Sequence, residues 1–351
     1  MKKILVFAYL RNNLGDDIFV NELVKRYPND KFFVNVLEEE YGKPFKKYDN
    51  VFIQKVEKEN FDEIEINEYE GFVYIGGSIF MEGGKVYNLD EGCFEFIKKC
   101  KKIGKPFFYI SSNYGPYKTE EYFALSKRTF QTCEDLCFRD KYSYGLFKEI
   151  PSVRYAPDAA FTYKAEEVKK KKDTVGINLI DLNIRDSLKE KEEEYIEFIN
   201  NNITTYLEEG KKVYLYSFCK HEGDEDIIEK LYNTRRKDFD ENKIQVIKYK
   251  DNIEEFINTY KQMEYMICGR FHSLILSYVF DQKFFVISYS KKIDNIIEEL
   301  QLCKEYMTFE EINKEKIIDL ESFNFVDVKK LENLRRDAER QFEKLDLFMK
   351  G

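Results

Sequence analysis

One pattern recurs along most of this chain: a run of β-branched and aromatic residues, a short turn, and then an amphipathic segment with helical spacing. The run Lys3 to Tyr9 and the helical segment Ile18 to Tyr27 are its first instance. Neighbouring parallel strands need a crossover between them, and that crossover is usually a helix. Strands that alternate with helices at this spacing therefore predict an α/β protein with parallel, doubly wound sheets.

The alternation is interrupted once, at the charged stretch from Glu166 to Asp173. With 351 residues the chain is long enough for two domains with full cores. We expect an N-terminal domain at residues 1–165, a second domain at 173–310, and one long C-terminal helix at 328–350 that packs back towards the first domain. The basic run Lys169–Lys172 is predicted to lie in a solvated linker.

Composition excludes several classes of function. The net charge of −9 argues against nucleic acid as a partner, because phosphate neutralisation needs a basic face. The chain has seven cysteines but no CxxC pair and no histidine at metal-ligand spacing, so we expect reduced thiols and no metal. No apolar stretch reaches the ~20 residues of a membrane span. The N-terminus is interpreted as a first strand rather than a signal peptide. These features predict a cytoplasmic protein with at most peripheral membrane association.

The most informative single stretch runs from Tyr265 to Leu276. Its apolar part is predicted to be a buried strand, Gly269 permits a tight exit, and a helix follows from Ser273. Arg270 and His272 then lie at a strand-to-helix junction, where α/β sheets bind their ligands. A helix start and a guanidinium favour an anion, and His272 could move a proton. The alternative is a structural ion pair for Arg270 and core packing for His272.

Two loops in the N-terminal half follow predicted strands in the same way. Gly76, Gly77 and Ser78 come after a buried strand, and paired glycines let a ligand approach the backbone closely, although a tight turn explains them equally well. Asn13, Gly15 and Asp16 form the turn after the first strand. That turn has one glycine rather than a GxGxxG, so it is a weak phosphate-binding pattern, and Asp16 also suits a helix cap.

Seven short motifs occur in an order and spacing that resemble the polysaccharide pyruvyl transferase family over roughly residues 1–300. They are Asn13–Asp17, Ile75–Ser78, Arg139–Asp140 with Ser143, Pro157–Phe161, Phe218–Asp224 with His221, Gly269–Ser273, and Ser288–Lys292. The resemblance implies a GT-B-like fold, in which two Rossmann-like domains face each other across a cleft. It also implies that the first domain holds the acceptor and the second the donor.

The resemblance implies a reaction as well. Characterised members of the family transfer the pyruvyl group of phosphoenolpyruvate to two hydroxyls of a sugar, forming a pyruvate ketal and releasing phosphate. The acceptor would be a sugar of a cell-surface polysaccharide or a lipid-linked precursor. Phosphoenolpyruvate is then a co-substrate and no cofactor is needed. The resemblance is compatible with a homo-oligomer.

The candidate residues can be matched to that chemistry. The donor's phosphate and carboxylate suit four cations: Arg270, Arg139, Lys291 and Lys292. The enol carbon must be protonated, and His272 is the candidate general acid. His221 is the runner-up, as a base or as a phosphate contact. Asp158 could orient a sugar hydroxyl, although a loop cap explains it equally well. The turn residues Asn13, Gly15, Asp16, Gly76, Gly77 and Ser78 are predicted to contact substrate.

Two rival functions remain open. The same fold supports nucleotide-sugar glycosyltransferases. Retaining enzymes of that kind often carry two glutamates eight residues apart, but here Glu298 and Glu299 are followed at that distance by Tyr306 and Met307. The other rival is a sugar-binding relative without activity, which the presence of both Arg270 and His272 argues against.

Overall fold

The computed structural model describes residues 1–55, 61–83, 89–164, 166, 168–183 and 188–351. The chain divides into two compact units. Unit 1 contains Met1–Arg11, Gly15–Tyr163 and Asn333–Gly351, and unit 2 contains Asn12–Leu14 and Lys164–Glu332. Ala165, at the predicted domain boundary, lies outside the described residues.

Unit 1 is built on a parallel sheet. Its strands are β1 Lys3–Phe7, β2 Lys31–Asn35, β3 Val51–Gln54, β4 Gly71–Ile75, β5 Phe107–Ser112, β6 Asp135–Phe138 and β7 Val153–Tyr155. Its helices include α1 Leu14–Arg26, α2 Glu91–Lys102, α3 Glu120–Thr132 and α4 Lys141–Phe147, with 3-10 turns at Glu39–Phe45, Phe61–Glu63, Ile66–Glu68 and Ala159–Thr162. Within the described residues the strand order is β3-β2-β1-β4-β5-β6-β7.

The central strands of unit 1 are apolar on both faces because helices cover both sides of a doubly wound sheet. Every residue of β4 and β5 is buried. The helices begin where side chains cap them: Asp90 accepts from the backbone N–H of Cys93 at 2.8 Å, and Thr119 accepts from that of Tyr122 at 3.2 Å. Such caps satisfy N–H groups that have no partner within the helix. The polar loops that follow the strands are thereby held at one edge of the sheet.

Unit 2 is built on a second parallel sheet. Its strands are β8 Lys171–Asn178, β9 Lys212–Ser217, β10 Ile244–Lys248, β11 Met263–Cys268, β12 Lys283–Ser288 and β13 Tyr306–Thr308. Its helices include α5 Glu192–Glu208, α6 Asp224–Asp240, α7 Ile253–Tyr260, α8 Phe271–Val279 and α9 Lys291–Leu300, with 3-10 turns at Lys189–Lys191, Lys220–Glu222, Phe309–Glu311 and Leu320–Ser322. In the part of the chain that is described, the strand order is β10-β9-β8-β11-β12-β13. The predicted fold class, two parallel-sheet α/β domains, is confirmed.

The basic run Lys169–Lys172 is solvated at Lys169, Lys171 and Lys172, which are exposed. It is not a linker, however, and that part of the prediction is wrong. Strand β8 begins at Lys171. The ammonium of Lys170 donates to the carbonyl oxygens of Lys261 at 2.8 Å and Phe280 at 2.5 Å. Burial lowers the pKa of Lys170 to about 8. The run starts the sheet of unit 2, because the aliphatic stem of a lysine can be buried while its ammonium binds backbone carbonyls.

The C-terminal region is also not one continuous helix. Helix α10 spans Val328–Ala338, a 3-10 turn covers Glu339–Phe342, and α11 spans Glu343–Lys350. At this break, the guanidinium of Arg154 donates hydrogen bonds to the carbonyl oxygens of Arg340 and Gln341, the latter at 2.8 Å. Both carbonyls thus accept from a side chain, and that of Arg340 also accepts from the backbone N–H of Glu343 within the 3-10 turn. Among the described helices, none is both long and apolar enough to cross a membrane.

Candidate functional site

Arg139, Asp158 and Asn113 form a buried polar cluster at the carboxyl edge of the unit 1 sheet, named here the Arg139 cluster. Arg139 follows β6 and is only 2% exposed. Its Nη1 donates to Asp158 Oδ2 at 2.8 Å and its Nη2 to Asn113 Oδ1 at 2.6 Å. A buried guanidinium is tolerated only when it is paired and hydrogen-bonded. The cluster therefore ties together the loops after β5, β6 and β7.

The glycine loop after β4 packs directly against this cluster. A Cβ atom on Gly77 would clash with the Arg139 guanidinium. The carbonyl oxygen of Gly77 accepts from the backbone N–H of Asn113 at 2.8 Å, and the exposed Ser78 hydroxyl lies 3.2 Å from Asn113 Oδ1. Position 77 therefore requires glycine, because a side chain there would occupy the space of the Arg139 guanidinium. The role of this loop as a ligand contact stays a prediction.

Asp158 caps the 3-10 turn Ala159–Thr162 as well as pairing with Arg139. Its Oδ1 accepts from the backbone N–H of Ala160 at 2.8 Å. Both carboxylate oxygens are therefore engaged inside the protein, and the side chain is fully buried. This geometry fits a positioning role, in which Asp158 holds Arg139 and the loop rather than touching a sugar.

Three other predicted residues of unit 1 lie near the start of α1. Asp16 and Gly15 are in its first turn and are buried. Gly76 has φ +149°, a conformation that favours glycine, and a Cβ atom there would lie 3.7 Å from Asp16 Oδ1. Strands β1 and β4 are neighbours, so Gly15, Asp16 and Gly76 come together. Asn13 belongs to unit 2, where its backbone bridges Cys219.

In unit 2, Arg270 precedes α8 and is 6% exposed. Its Nε lies 3.1 and 2.9 Å from the two carboxylate oxygens of Asp224, and its Nη2 donates to Oδ1 of the same residue. Its Nη1 donates to Glu222 Oε2 at 2.5 Å. Asp224 Oδ2 also accepts from the backbone N–H groups of Phe218 and Cys219 at 2.8 and 3.0 Å. A guanidinium fork matched to a carboxylate in this way is among the strongest polar contacts in proteins.

The electrostatics of this trio favour a positioning role for Arg270. Asp224 and Glu222 engage the Nε, Nη1 and Nη2 atoms of the guanidinium inside the protein, which leaves it less available to an external anion. Burial by itself lowers the pKa of Arg270, but Asp224 and Glu222 outweigh it, and the pKa is raised well above its ordinary value. Burial also raises the pKa of Asp224, an effect that Arg270 and two backbone N–H groups oppose. Direct binding of an anion by Arg270 stays a prediction.

The same salt bridge joins the loop that carries His221 to the helix start that carries His272. Strand β8 lies between β9 and β11 in the sheet, so the loop after β9 and the start of α8 are not on adjacent strands. Arg270 spans the end of β8 to reach Glu222 and Asp224. His221 is exposed in the 3-10 turn directly before Glu222, whereas His272 is half-buried as the second residue of α8.

His272 and Lys292 contact the same aromatic ring. The Phe271 and His272 rings are perpendicular, with centroids 5.2 Å apart. The ammonium of Lys292 lies 5.3 Å from the Phe271 centroid, and Lys291 beside it is exposed. The structure therefore brings His272 and Lys292 to the same edge of the unit 2 sheet, and their role in binding a donor stays a prediction.

Two helices begin side by side at this edge. Strands β11 and β12 pair in parallel, and α8 and α9 each begin three residues after their strand ends. The first N–H groups of a helix have no partner within it and carry partial positive charge. Ser290 precedes α9, and its buried hydroxyl oxygen has no hydrogen-bond partner in the part of the chain that the structure describes. Neighbouring helix starts with a lysine and a histidine suit an anion with more than one charged group.

The sequence reasoning missed Asn113, Glu222 and Asp224 of these clusters, and Gln341 beside the Arg139 cluster. Asn113 follows a buried strand, the signal that did identify Gly76 and His272. Glu222 and Asp224 lie within a quoted motif, but only the fold shows that they meet Arg270. Among the described residues, no three His, Cys, Asp or Glu side chains are grouped as metal ligands would be. The prediction that no metal is needed stays a prediction.

Two parallel-sheet α/β units are an arrangement that this chain shares with solved structures of the GT-B type. The chain is similar in fold to UDP-GlcNAc 2-epimerase from Methanocaldococcus jannaschii, with TM-score 0.57, 12% identity and coverage of 98% of this chain and 99% of that chain. S. aureus MnaA bound to UDP has TM-score 0.56 and 12% identity, with coverage of 98% of this chain and 90% of that chain. Anabaena HepE bound to UDP and glucose has TM-score 0.53 and 9% identity, with coverage of 98% of this chain and 95% of that chain.

A family model described as polysaccharide pyruvyl transferase matches residues 13–291. The chain belongs to that family, and the resemblance noted from its motifs is confirmed. Family membership supports a transferase of polysaccharide biosynthesis that acts on a sugar or polysaccharide acceptor.

Proposed function

We propose that this protein transfers the pyruvyl group of phosphoenolpyruvate to two hydroxyls of one sugar in a cell-surface polysaccharide or its precursor. The observation that carries the proposal is the pair of helix starts at α8 and α9 beside His272 and Lys292. Family membership supplies the class of reaction, and this arrangement supplies a site for a donor with two anionic groups. Phosphoenolpyruvate is made inside cells, so the reaction would run in the cytoplasm.

The donor's phosphate and carboxylate bind at the two helix starts. The backbone N–H groups of α8 and α9 contact one anionic group each, while Lys291, Lys292 and the Ser290 hydroxyl add charge and hydrogen bonds. Arg270 acts through Asp224 and Glu222, which fix the start of α8. His272 then lies next to the bound anion, and an adjacent anion raises a histidine's pKa by favouring the imidazolium.

The reaction balances without a cofactor. His272 donates a proton to C3 of the enolpyruvyl group, which becomes a methyl group and leaves positive charge at C2. One sugar hydroxyl attacks C2 and loses its proton. A second hydroxyl of the same sugar then forms the other C–O bond as the C2–phosphate bond breaks. Of the two hydroxyl protons, one restores His272 and the other leaves with phosphate. His221 is the second candidate for these proton transfers.

Unit 1 would bind the acceptor. The exposed hydroxyl of Ser78 and the carboxylate of Asp16 are the groups proposed to contact the sugar. Asn113, Arg139 and Asp158 hold the glycine loop in place behind them. This assignment changes the role of Asp158 from a sugar contact to a positioning residue, because Arg139 and Ala160 already engage both of its carboxylate oxygens.

A nucleotide-sugar glycosyltransferase is the second candidate, because adjacent helix starts would also bind a diphosphate and two of the solved structures with this fold hold UDP. Ligand protection against unfolding separates the two. Phosphoenolpyruvate at 100 times its Kd should stabilise the protein by about 2.7 kcal/mol. UDP should have no effect. Protection by UDP and none by phosphoenolpyruvate would favour the glycosyltransferase.

Activity tests the proposal directly. Phosphate release from phosphoenolpyruvate is followed across a panel of lipid-linked and nucleotide-linked sugars. We expect release only in the presence of an acceptor with two suitably spaced hydroxyls. Release without acceptor would show a simple phosphatase, and no release with any acceptor would count against the proposal.

A further inference from the structure

Gln341 in the C-terminal 3-10 turn is fully buried in unit 1 and holds three separate segments of that unit. Its Oε1 accepts from the backbone N–H of Ser111 at 2.8 Å. Its Nε2 donates to the carbonyl oxygens of Ala156 at 2.7 Å, Pro157 at 3.1 Å and Phe138 at 3.3 Å. One carboxamide thus joins the ends of β5 and β6 and the segment after β7, from about 200 residues further along the chain.

These contacts lie immediately beside the Arg139 cluster. Phe138 directly precedes Arg139, and Pro157 directly precedes Asp158. Ser111 lies two residues before Asn113. Each member of the cluster is therefore within two residues of a backbone group that Gln341 holds, although Gln341 itself is not part of the cluster.

The backbone at Ser111 shows why the carboxamide is needed. Ser111 has φ +61°, in the left-handed region that is uncommon for a residue other than glycine, and the pairing of β5 with β6 shifts register between Ile110 and Ser112. The N–H of Ser111 therefore donates to a side chain rather than to a neighbouring strand. The Ser111 hydroxyl in turn accepts from the backbone N–H of Ala159 at 2.9 Å. Without Gln341, a buried N–H group at this irregularity would lose its partner.

We propose that Gln341 is a positioning residue: it fixes the ends of β5, β6 and β7 so that Asn113, Arg139 and Asp158 support the acceptor side of the site. The proposal deepens the proposed function and rests on it for the meaning of the cluster. Arg154 extends the same connection, because its Nη2 donates to the carbonyl oxygen of Gln341 at 2.8 Å. The C-terminal turn thus determines geometry at the carboxyl edge of the sheet in addition to stabilising unit 1.

The first test does not depend on activity. Gln341→Met keeps the size of the side chain but removes all four hydrogen bonds. Hydrogen exchange is measured at the N–H groups of Asn113 and Arg139, which donate to Gly77 and Ser112. We expect protection to fall about 10-fold or more, the effect of leaving a buried polar group unsatisfied. Unchanged protection at both groups in a folded variant would overturn the proposal.

The matched control is Phe348→Ala, which removes an aromatic ring from the same C-terminal region. Phe348 packs on Gly71 and Phe108, near the starts of β4 and β5. It should lower the melting temperature while leaving exchange at Asn113 and Arg139 unchanged. If Gln341→Met does not fold, Arg154→Lys decides, because it keeps a cation near Asp135 but loses the guanidinium fork. Reduced protection at Arg139 supports the proposal, and unchanged protection overturns it.

Kinetics provide the second test. In folded Gln341→Met we expect kcat/KM for the acceptor to fall about 10-fold or more while KM for phosphoenolpyruvate stays the same, because the proposed donor groups are in unit 2. Equal losses for both substrates, or full activity, would show a purely structural role. If wild type has no pyruvyl transfer activity, the proposed function fails, while the exchange experiment still tests the positioning of the cluster.

Discussion

Nε of Arg270 lies 2.9 Å from Oδ2 of Asp224, so the residue that precedes α8 is bound to the first residue of α6. The two residues follow β11 and β9, which are separated by β8. Asp224 also accepts from the backbone N–H groups of Phe218 and Cys219. This pair therefore fixes the loop that carries His221 and the helix start that carries His272.

Breaking this pair should cost stability and activity together. Arg270→Lys keeps the positive charge but loses the bidentate geometry, because an ammonium is a point donor. We expect the free energy of unfolding to fall by about 2–4 kcal/mol, near the range for a broken buried pair. Denaturant unfolding measures it. Asp224→Asn in the same background should cost less than it does alone, since the partner is already lost.

The control for that experiment is Lys243→Met, which removes an exposed salt bridge to Glu241 in the same unit. Exposed pairs contribute little, so the melting temperature should not change. If Arg270→Lys also leaves stability and turnover unchanged, the trio does not position α8.

The two histidines should differ in their contribution to turnover. General acid catalysis is typically worth about 10² to 10⁴ in rate. We expect His272→Gln to lower kcat by that factor with an unchanged melting temperature. His221→Ala should lower kcat by less than 10-fold, which corresponds to a barrier increase of less than about 1.4 kcal/mol. Turnover of both variants across pH is the measurement. Full activity of folded His272→Gln would transfer the acid role to His221 or to a carboxylic acid.

A methyl group on Gly77 should disrupt the Arg139 cluster. The added Cβ would occupy the space of the guanidinium, which is held by Asp158 and Asn113 and cannot move away without breaking those bonds. We expect Gly77→Ala to destabilise unit 1 by about 1–3 kcal/mol, as overpacking does. The matched control is Gly145→Ala, an exposed helical position where a Cβ atom would meet nothing within 4 Å. That control should be neutral or slightly stabilising. Equal effects for the two variants would argue against a rigid cluster.

The seven cysteines should be nearly inert in the native protein. Burial raises the pKa of each thiol, to about 11 for Cys268 and about 12 for Cys93, Cys100, Cys137 and Cys303. Thiolate is the reactive form, so little is present at pH 8. Titration with a thiol reagent at pH 8 should label almost nothing in native protein and all seven residues in denaturant. Fast labelling of several native thiols would show that these side chains are accessible in solution.

The alternation of strands and helices was enough to predict both parallel sheets, because hydrophobic periodicity is a local property of the sequence. The junction after β11 could also be located, since Gly269 marks the exit: a Cβ atom there would lie 2.5 Å from the Asn178 carbonyl oxygen. The partners of Arg270 and Arg139 could not be predicted in the same way. They come from other strands, and a single sequence does not show which loops meet.

The Lys169–Lys172 run and the C-terminal helix are two places where local sequence patterns gave a wrong prediction because they do not show tertiary contacts. Local charge predicted a linker and local periodicity predicted one helix. Both outcomes depend on hydrogen bonds to distant backbone groups. Lys170 donates to two carbonyl oxygens over 90 residues away, and Arg154 donates to two carbonyl oxygens of the C-terminal turn. Tertiary contacts override local preference where a buried polar group needs a partner.

The most direct test of the proposed function is the product itself. The protein is incubated in D2O with phosphoenolpyruvate and each acceptor sugar, and the products are analysed by NMR and mass spectrometry. Pyruvyl transfer predicts a ketal in which C2 is bonded to two sugar oxygens and carries a methyl group. That methyl group should contain one deuterium from solvent, because the proton added to C3 exchanges with solvent. Phosphate should form in equal amount. Absence of any ketal from phosphoenolpyruvate, together with glycoside formation from a nucleotide sugar, would contradict it.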